Sequence, residues 1–451
     1  MKIKLGIPLG LNEIAAAISA EAHKPDTRIN YICTDSREVT CDTLFFALND
    51  RAEVFVDEVL RVAHAVSVNG RGLAVKNTED ALLSLCSYYI TLLKRLKAKV
   101  MITGSVGKTT VKELTAAILS TKYKVTKTKG NFNNAIGLPL SVLEADADTE
   151  ILVLEAGMNS LGEIKRLSQT VKPTVAVITN VGTAHVGMLG SRENIAKAKL
   201  EILSGLEVGG RVIIPEDEPL LKGISDRLTV GDSGAASIKI RSIHNNECTF
   251  DMSLLGQKIE GIALPLCGEH FATDAAFAAL AAYCVGLSIK EISGAFLNKI
   301  EFKARQKYID LGKFKVYDDS YNASLESYTA VFKMLTASFG DTAAVIGDVL
   351  EAGAEAEYIH REIGSRAARF GIGMLYPFGK HANAVRDGAL NAGMLPEDIL
   401  VNTDPDAPEI TARQIIEHTK SGTTLLVKGS RAIKTERIIT CIKQALGDKN
   451  D

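Results

Sequence analysis

The chain has 451 residues, room for about three domains at ~150 residues each, and its 46% hydrophobic share is that of an ordinary globular protein. Its 52 basic and 54 acidic residues leave a net charge of −2, which argues against nucleic acid as a partner, and no run approaches the ~20 apolar residues needed to span a bilayer. Seven cysteines, odd in number and never in a CxxC pair, argue against a disulfide framework or a zinc site and fit a reducing cytoplasm.

The opening segment MKIKLGIPLGLNEIAAAISA reads as a first strand and helix, because Pro8, Asn12 and Glu13 interrupt its apolar residues. Residues 1–97 form a predicted small α/β unit, with short strands at Asn30–Cys33 and Leu44–Ala47 and a helix near Glu79–Lys97. From Val100 onward, short β-branched runs alternate with helices: Val100–Ile102, Ile151–Leu154, Thr174–Ile178 and Arg211–Ile214. Fully apolar strands of this kind predict a mainly parallel sheet covered on both faces, in a central domain of residues 98–303. A third alternation fills 304–451, with strands at Val316–Tyr317, Ala343–Ile346, Met374–Tyr376, Ile399–Val401 and Thr424–Val427. That predicts a doubly wound, Rossmann-like domain; it lacks GxGxxG after its first strand, so nothing assigns it a dinucleotide.

The segment Thr103-Gly104-Ser105-Val106-Gly107-Lys108-Thr109-Thr110 follows an apolar strand and opens a helix over Val111–Ser120. Its glycines let backbone N–H groups close around phosphate oxygens, Lys108 reaches the terminal phosphates, and the Thr109 hydroxyl can ligate Mg2+. ATP or GTP is the expected ligand. In an open α/β sheet, ligands sit at the carboxyl ends of strands, which directs attention to Glu155, after Ile151–Leu154, and to His185, in the loop after Ile178. A lone loop histidine is more often a surface or capping residue; its position relative to the P-loop raises its interest. Asn131, Asn133 and Asn134 crowd a turn, and three amides in four positions suggest ligand contacts. Ser191 caps a helix whose lysines, Lys197 and Lys199, read from spacing alone as solvated charges.

The set TDSR (34–37), TGSVGKTT (103–110), GNFNNAIGLPL (130–140), LEAGM (154–158), TNVGTAH (179–185), SRENIAKAKLEI (191–202), AAVIGDVLEAG (343–353) and LVKGSRAIKTE (426–436) resembles the Mur ligase family across almost the whole chain. The resemblance implies a three-domain α/β architecture and ATP-dependent amide-bond formation in peptidoglycan precursor synthesis. UDP-N-acetylmuramoyl-tripeptide would supply the carboxylate and D-alanyl-D-alanine the amine. It implies an ATP site over Gly104–Thr110, joined by Arg305 and Asp319 from the third domain. Thr109 and Glu155 would hold one Mg2+; His185 would hold a second with Lys199, which matches the lysine that the family carries as a carbamate. Lys108, His185 and Lys199 become the catalytic candidates. Ser36, Arg37, Asn134 and Lys428 become the substrate-binding ones. A cytoplasmic monomer, with no nucleic acid and no membrane insertion, is the expected state. The same motifs leave open a paralogue joining another carboxylate and amine, or a noncatalytic ATP-binding scaffold.

Three motifs depart from the family pattern. Asn49–Glu53 is shorter than the glycine-rich stretch that serves the nucleotide sugar. Phe271 and Asp274 stand where the family has asparagines that meet adenine, and Leu325 stands where it has proline.

Overall fold

A computed structural model describes residues 1–22, 27–244, 247–266, 268–298 and 307–447. Arg305 and the expected boundary near 303 lie outside the described residues. Three sheets follow one another along the chain. In the first, Lys2–Gly10 pairs antiparallel with Arg28–Cys33, and Thr43–Phe46, His64–Ser67 and Leu73–Ala74 continue in parallel.

The central sheet has nine strands. Ala98–Thr103 lies between Ile151–Glu155 and Val175–Ile178, all parallel, so the P-loop leaves the middle of the sheet. These strands bury every residue except Lys99, as expected for a sheet covered on both faces. Beyond Arg211–Pro215 and Arg227–Val230 the sheet continues as an antiparallel meander, Ala236–His244, Glu247–Leu254 and Gln257–Leu264, which the parallel reading does not anticipate. Its signature is alternation: Cys248, Phe250, Met252 and Leu254 are buried while their neighbours are not, so only one face meets a core.

The third sheet runs Lys307–Asp310, Lys315–Asp319, Thr424–Lys428, Thr342–Gly347, Met374–Phe378, parallel except for the first pair. The expected strand Ile399–Val401 is reduced to isolated bridges, Leu375 to Ile399 and Phe378 to Asn402. The cause lies just downstream. Asn402 Nδ2 donates to Ala407 O and to Thr411 Oγ1, turning the chain toward the helix Pro408–His418 before a ladder can extend.

The cores do not divide as the sheets do. Leu5, Ile14, Leu82 and Tyr89 of the first unit share one continuous apolar cluster with Leu140, Leu154 and Ile178 of the second. Tyr89 stitches the two together, its hydroxyl accepting from Ile7 N at 2.6 Å and donating to Ala145 O at 2.8 Å. The opposite face of the central sheet packs on the alanine-rich helix Glu269–Val285. The third sheet has cores of its own on each face.

Candidate active site

A cleft of about 630 Å3 opens where the carboxyl ends of the central and third sheets face each other. Its floor is the P-loop. Gly107 adopts φ +83 at the start of the helix Lys108–Leu119, and Asp274 packs against it so closely that a Cβ there would lie 2.6 Å from Oδ1. Lys108 Nζ donates to Gly104 O at 2.6 Å and Ser105 O at 3.1 Å, folded over the loop it would leave to meet a phosphate.

Thr109 Oγ1 donates to Glu155 Oε2 at 2.7 Å. The other oxygen of Glu155 accepts from Asn133 Nδ2 at 2.8 Å, and its backbone N–H donates to Thr128 Oγ1 at 3.0 Å, which fixes the carboxylate at the strand end. Lys112, which the sequence reading passes over, is fully buried; its Nζ donates to Thr128 O at 2.8 Å and lies 3.0 Å from Glu113 Oε1 and 3.8 Å from Glu155 Oε2. The available signal was a lysine on the apolar face of the P-loop helix, one turn beyond Lys108, where helical periodicity calls for an apolar residue.

His185 adopts φ +68, a conformation histidine enters more readily than most residues. Its Nδ1 sits 2.7 Å from Glu351 Oε2 of the third domain, close but poorly aligned for a hydrogen bond. The close approach of His185 holds the Glu351 carboxyl below its usual range. Asn180, also unremarked in the sequence, pins the P-loop: Oδ1 accepts from Ser105 N and Val106 N at 3.0 Å, and Nδ2 donates to Val106 O.

Lys199 overturns the reading of a solvated charge. On the helix Arg192–Leu200 it is only 1% exposed, whereas Lys197 is exposed. Burial first, and the nearby Lys108 ammonium second, push its pKa well below the ordinary lysine value. It has no hydrogen-bond or ion-pair partner among the described residues. Lys428, 2% exposed, pairs with Asp319 at 2.5 Å and donates to Asn322 O at 2.8 Å, so these two candidates meet on the third-domain wall.

Asn134 lines the cleft, but its Oδ1 is turned back to Ile136 N and Gly137 N, starting the helix Gly137–Leu143. Ser36 and Arg37 do not reach this cleft. They lie on a short turn of the first domain, where Arg37 grips Asp35 at 2.5 Å and holds its carboxyl far below the usual range. Phe271 and Asp274 both line the cleft. Burial raises Asp274 well above the usual carboxylate value, against one hydrogen bond from Thr110.

Among the described residues no group of three or more His, Cys, Asp and Glu stands together to hold a metal. The hydroxyl of Thr109 and the carboxylate of Glu155 nonetheless suit Mg2+, which keeps several waters and takes one or two protein oxygens plus substrate phosphates. A second groove, about 710 Å3, lies between the helices Lys108–Leu119 and Ile289–Leu297; its charges are paired across it by Lys122 and Glu291, and it carries no comparable constellation.

Two family models match this chain: the Mur ligase middle domain over residues 102–282 and the Mur ligase glutamate ligase domain over 304–431. The chain belongs to the Mur ligase family. Its relatives in that family include the UDP-N-acetylmuramoyl-tripeptide–D-alanyl-D-alanine ligase of Bacillus subtilis, 32% identical over 95% of this chain and 96% of the relative. The enzyme of the same name from Escherichia coli is 30% identical over 97% and 99%. Among solved structures, MurF from Acinetobacter baumannii superposes with a TM-score of 0.89 at 28% identity, covering 98% of this chain and all of that one. The MurF ligase of Thermotoga maritima in complex with ADP gives 0.80 at 26%, covering 93% and 98%. In this member of the family, Lys108, Thr109, Glu155, His185, Asp319 and Lys428 converge on the cleft between the second and third sheets.

Proposed function

We infer that this Mur ligase joins D-alanyl-D-alanine to UDP-N-acetylmuramoyl-tripeptide with hydrolysis of ATP to ADP and phosphate, a step of peptidoglycan precursor synthesis. The observation that carries the substrate assignment is the full-length match to relatives of that name. The cleft supports the chemistry. A carboxylate is a poor electrophile until activated, so the tripeptide's terminal carboxylate attacks the γ-phosphorus and ADP leaves, giving an acyl phosphate. Lys108 swings from the carbonyls of Gly104 and Ser105 to the phosphoryl oxygens, while the P-loop amides cradle them. The amine then attacks the acyl carbon and phosphate departs. Asp319 and Lys428 hold the third-domain side of the site, and Asn134 borders the side toward the nucleotide sugar.

Mg2+, bound by Thr109 and Glu155 and at a second position by His185, would neutralise charge spreading over the phosphoryl oxygens. Lys199 as a carbamate completes the second position. Burial and the nearby Lys108 favour the neutral amine, the form that adds to carbon dioxide with loss of a proton, and the product would be an anion where an ammonium would repel the metal. No described helix is long and apolar enough to cross a membrane, and the cytoplasm is the compartment we assign to this reaction.

The test is phosphate release with ATP, Mg2+, UDP-N-acetylmuramoyl-tripeptide and D-alanyl-D-alanine, with mass spectrometry of the products. Pentapeptide formed only with both substrates is the expected result. ATP binding without product would move the assignment to a different carboxylate or amine.

A further inference from the structure

The loop 179–185 separates the P-loop from the third domain, and its two sides are held by different partners. On the inner side, Asn180 takes up the N–H groups of Ser105 and Val106, and Gly182 N donates to Ser105 Oγ at 2.9 Å. On the outer side, Glu326, in the first turn of the third-domain helix Leu325–Ser338, accepts from Thr183 N at 2.7 Å and from Thr183 Oγ1 at 3.2 Å. Gly182 admits that carboxylate: a Cβ there would lie 2.8 Å from Glu326 Cδ. Two successive amides, Gly182 and Thr183, are therefore bound one to the phosphate loop and one to the third domain, only one Cα apart along the chain. The third domain takes a second hold a turn later, where Gly187 N donates to Glu351 O at 3.0 Å.

We propose that Glu326 is a positioning residue that couples closure of the third domain to the geometry of the phosphate loop. Seated on Thr183, it fixes the loop 179–185, and through Gly182 and Asn180 it fixes the P-loop amides that meet the transferring phosphoryl group. Withdrawn, it takes two charge-assisted hydrogen bonds with it and leaves the Thr183 N–H to water. The consequence is an ordering of events: the phosphate loop reaches its reactive geometry only when the domain that carries the amine substrate is in place. An acyl phosphate formed before that closure would be exposed to hydrolysis. The inference rests on the reading of the protein as an ATP-dependent ligase.

The decisive comparison is wild type against Glu326→Ala and Glu326→Gln, read by steady-state kinetics, by calorimetry of ATP binding without the other substrates, and by amide hydrogen exchange. For the alanine variant kcat should fall by about tenfold, the scale of a lost charge-assisted hydrogen bond, with ATP affinity within about twofold of wild type. Exchange in peptides covering 104–107 and 179–185 should quicken. Glutamine should restore most of the rate, since its amide oxygen still accepts from Thr183 N–H and its amide nitrogen can donate to the hydroxyl. Wild-type kcat in the alanine variant would overturn the proposal, as would a loss of rate with unchanged exchange at 104–107. Should the alanine variant fold poorly, Thr183→Val removes only the hydroxyl contact; an effect on kcat no smaller than on ATP affinity is required there too. If the wild type yields no pentapeptide, the ligase assignment fails by itself, and the exchange comparison still decides the coupling.

Discussion

Lys112 and Lys199 are both buried within the central domain, yet their surroundings give them opposite energetics. Lys112 has Thr128 O at 2.8 Å and two carboxylates around its ammonium. Removing one member of a buried ion network leaves the others uncompensated, so Lys112→Met should destabilise the protein by about 3 kcal/mol. Lys199 has no such partners among the described residues, and burial and the nearby Lys108 lower its pKa and so disfavour its charged form. Lys199→Met should therefore keep or raise the urea midpoint in carbonate-depleted buffer, while ligase activity falls at least about a hundredfold, the scale for loss of a group that supports a metal. Parallel urea melts and ADP-formation assays on the two variants check both signs; equal destabilisation would sink the distinction. Asp274 supplies a pH dependence. Its carboxyl is raised in the folded state, so the native protein holds a proton that the unfolded chain releases above about pH 4. Its contribution is complete below that value and is lost as pH rises toward the folded pKa, by up to about 1.4 kcal/mol per unit. Asp274→Asn keeps an acceptor for Thr110 and removes the titration. The variant should be more stable than wild type at neutral pH, with the difference vanishing toward pH 4 in melts taken across that range.

At the level of elements, the sequence discloses what depends on local pattern. The runs Ile151–Leu154 and Val175–Ile178 are wholly apolar because both faces of their strands are covered, and the glycines and threonines of 103–110 mark the strand-to-helix turn directly. The same logic misleads at Ile399–Val401, where the run is apolar but Asn402 turns the chain away. It fails on Lys199 because spacing says which face of a helix a residue occupies, not whether a neighbouring element covers that face. Glu326 was out of reach altogether, 143 residues from Thr183. The helix Glu269–Val285 is a case between: its alanines give almost no amphipathic signal because it is buried nearly all round, between the P-loop helix and the antiparallel strands. Small residues let these elements approach. Ala279→Leu at a fully buried position should cost about 1–3 kcal/mol by overpacking, read as a lower urea midpoint. A neutral outcome would mean that the interface has space the tight alanine packing does not suggest.

The whole molecule has two mechanical parts rather than three. Leu82 and Tyr89 belong to the same apolar cluster as Leu154 and Ile178, so the first domain cannot lose its packing without exposing one face of the central sheet. Arg166 adds ion pairs to Glu79 and Asp80 across that junction. The third domain is different. Its cores on either face of its sheet are separate from those of the other two domains, and it meets the central domain through polar contacts at Glu326 and Glu351, through the exposed Lys333–Glu269 pair, and through two partly buried apolar side chains, Val186 and Ile243, that pack against its core. An exposed pair of that kind is worth at most about 1 kcal/mol, so cohesion across the cleft is weak enough for a domain that must open and close. Cooperative unfolding follows shared cores. Scanning calorimetry should resolve two transitions, one for the first and central domains together and one for the third. Leu82→Ala, which removes about 2–5 kcal/mol of core packing, should lower the first of these and leave the other in place. If it shifted a small transition of its own while the central sheet melted unchanged, the first domain would be an independent unit and the continuous core beneath Tyr89 would not couple them.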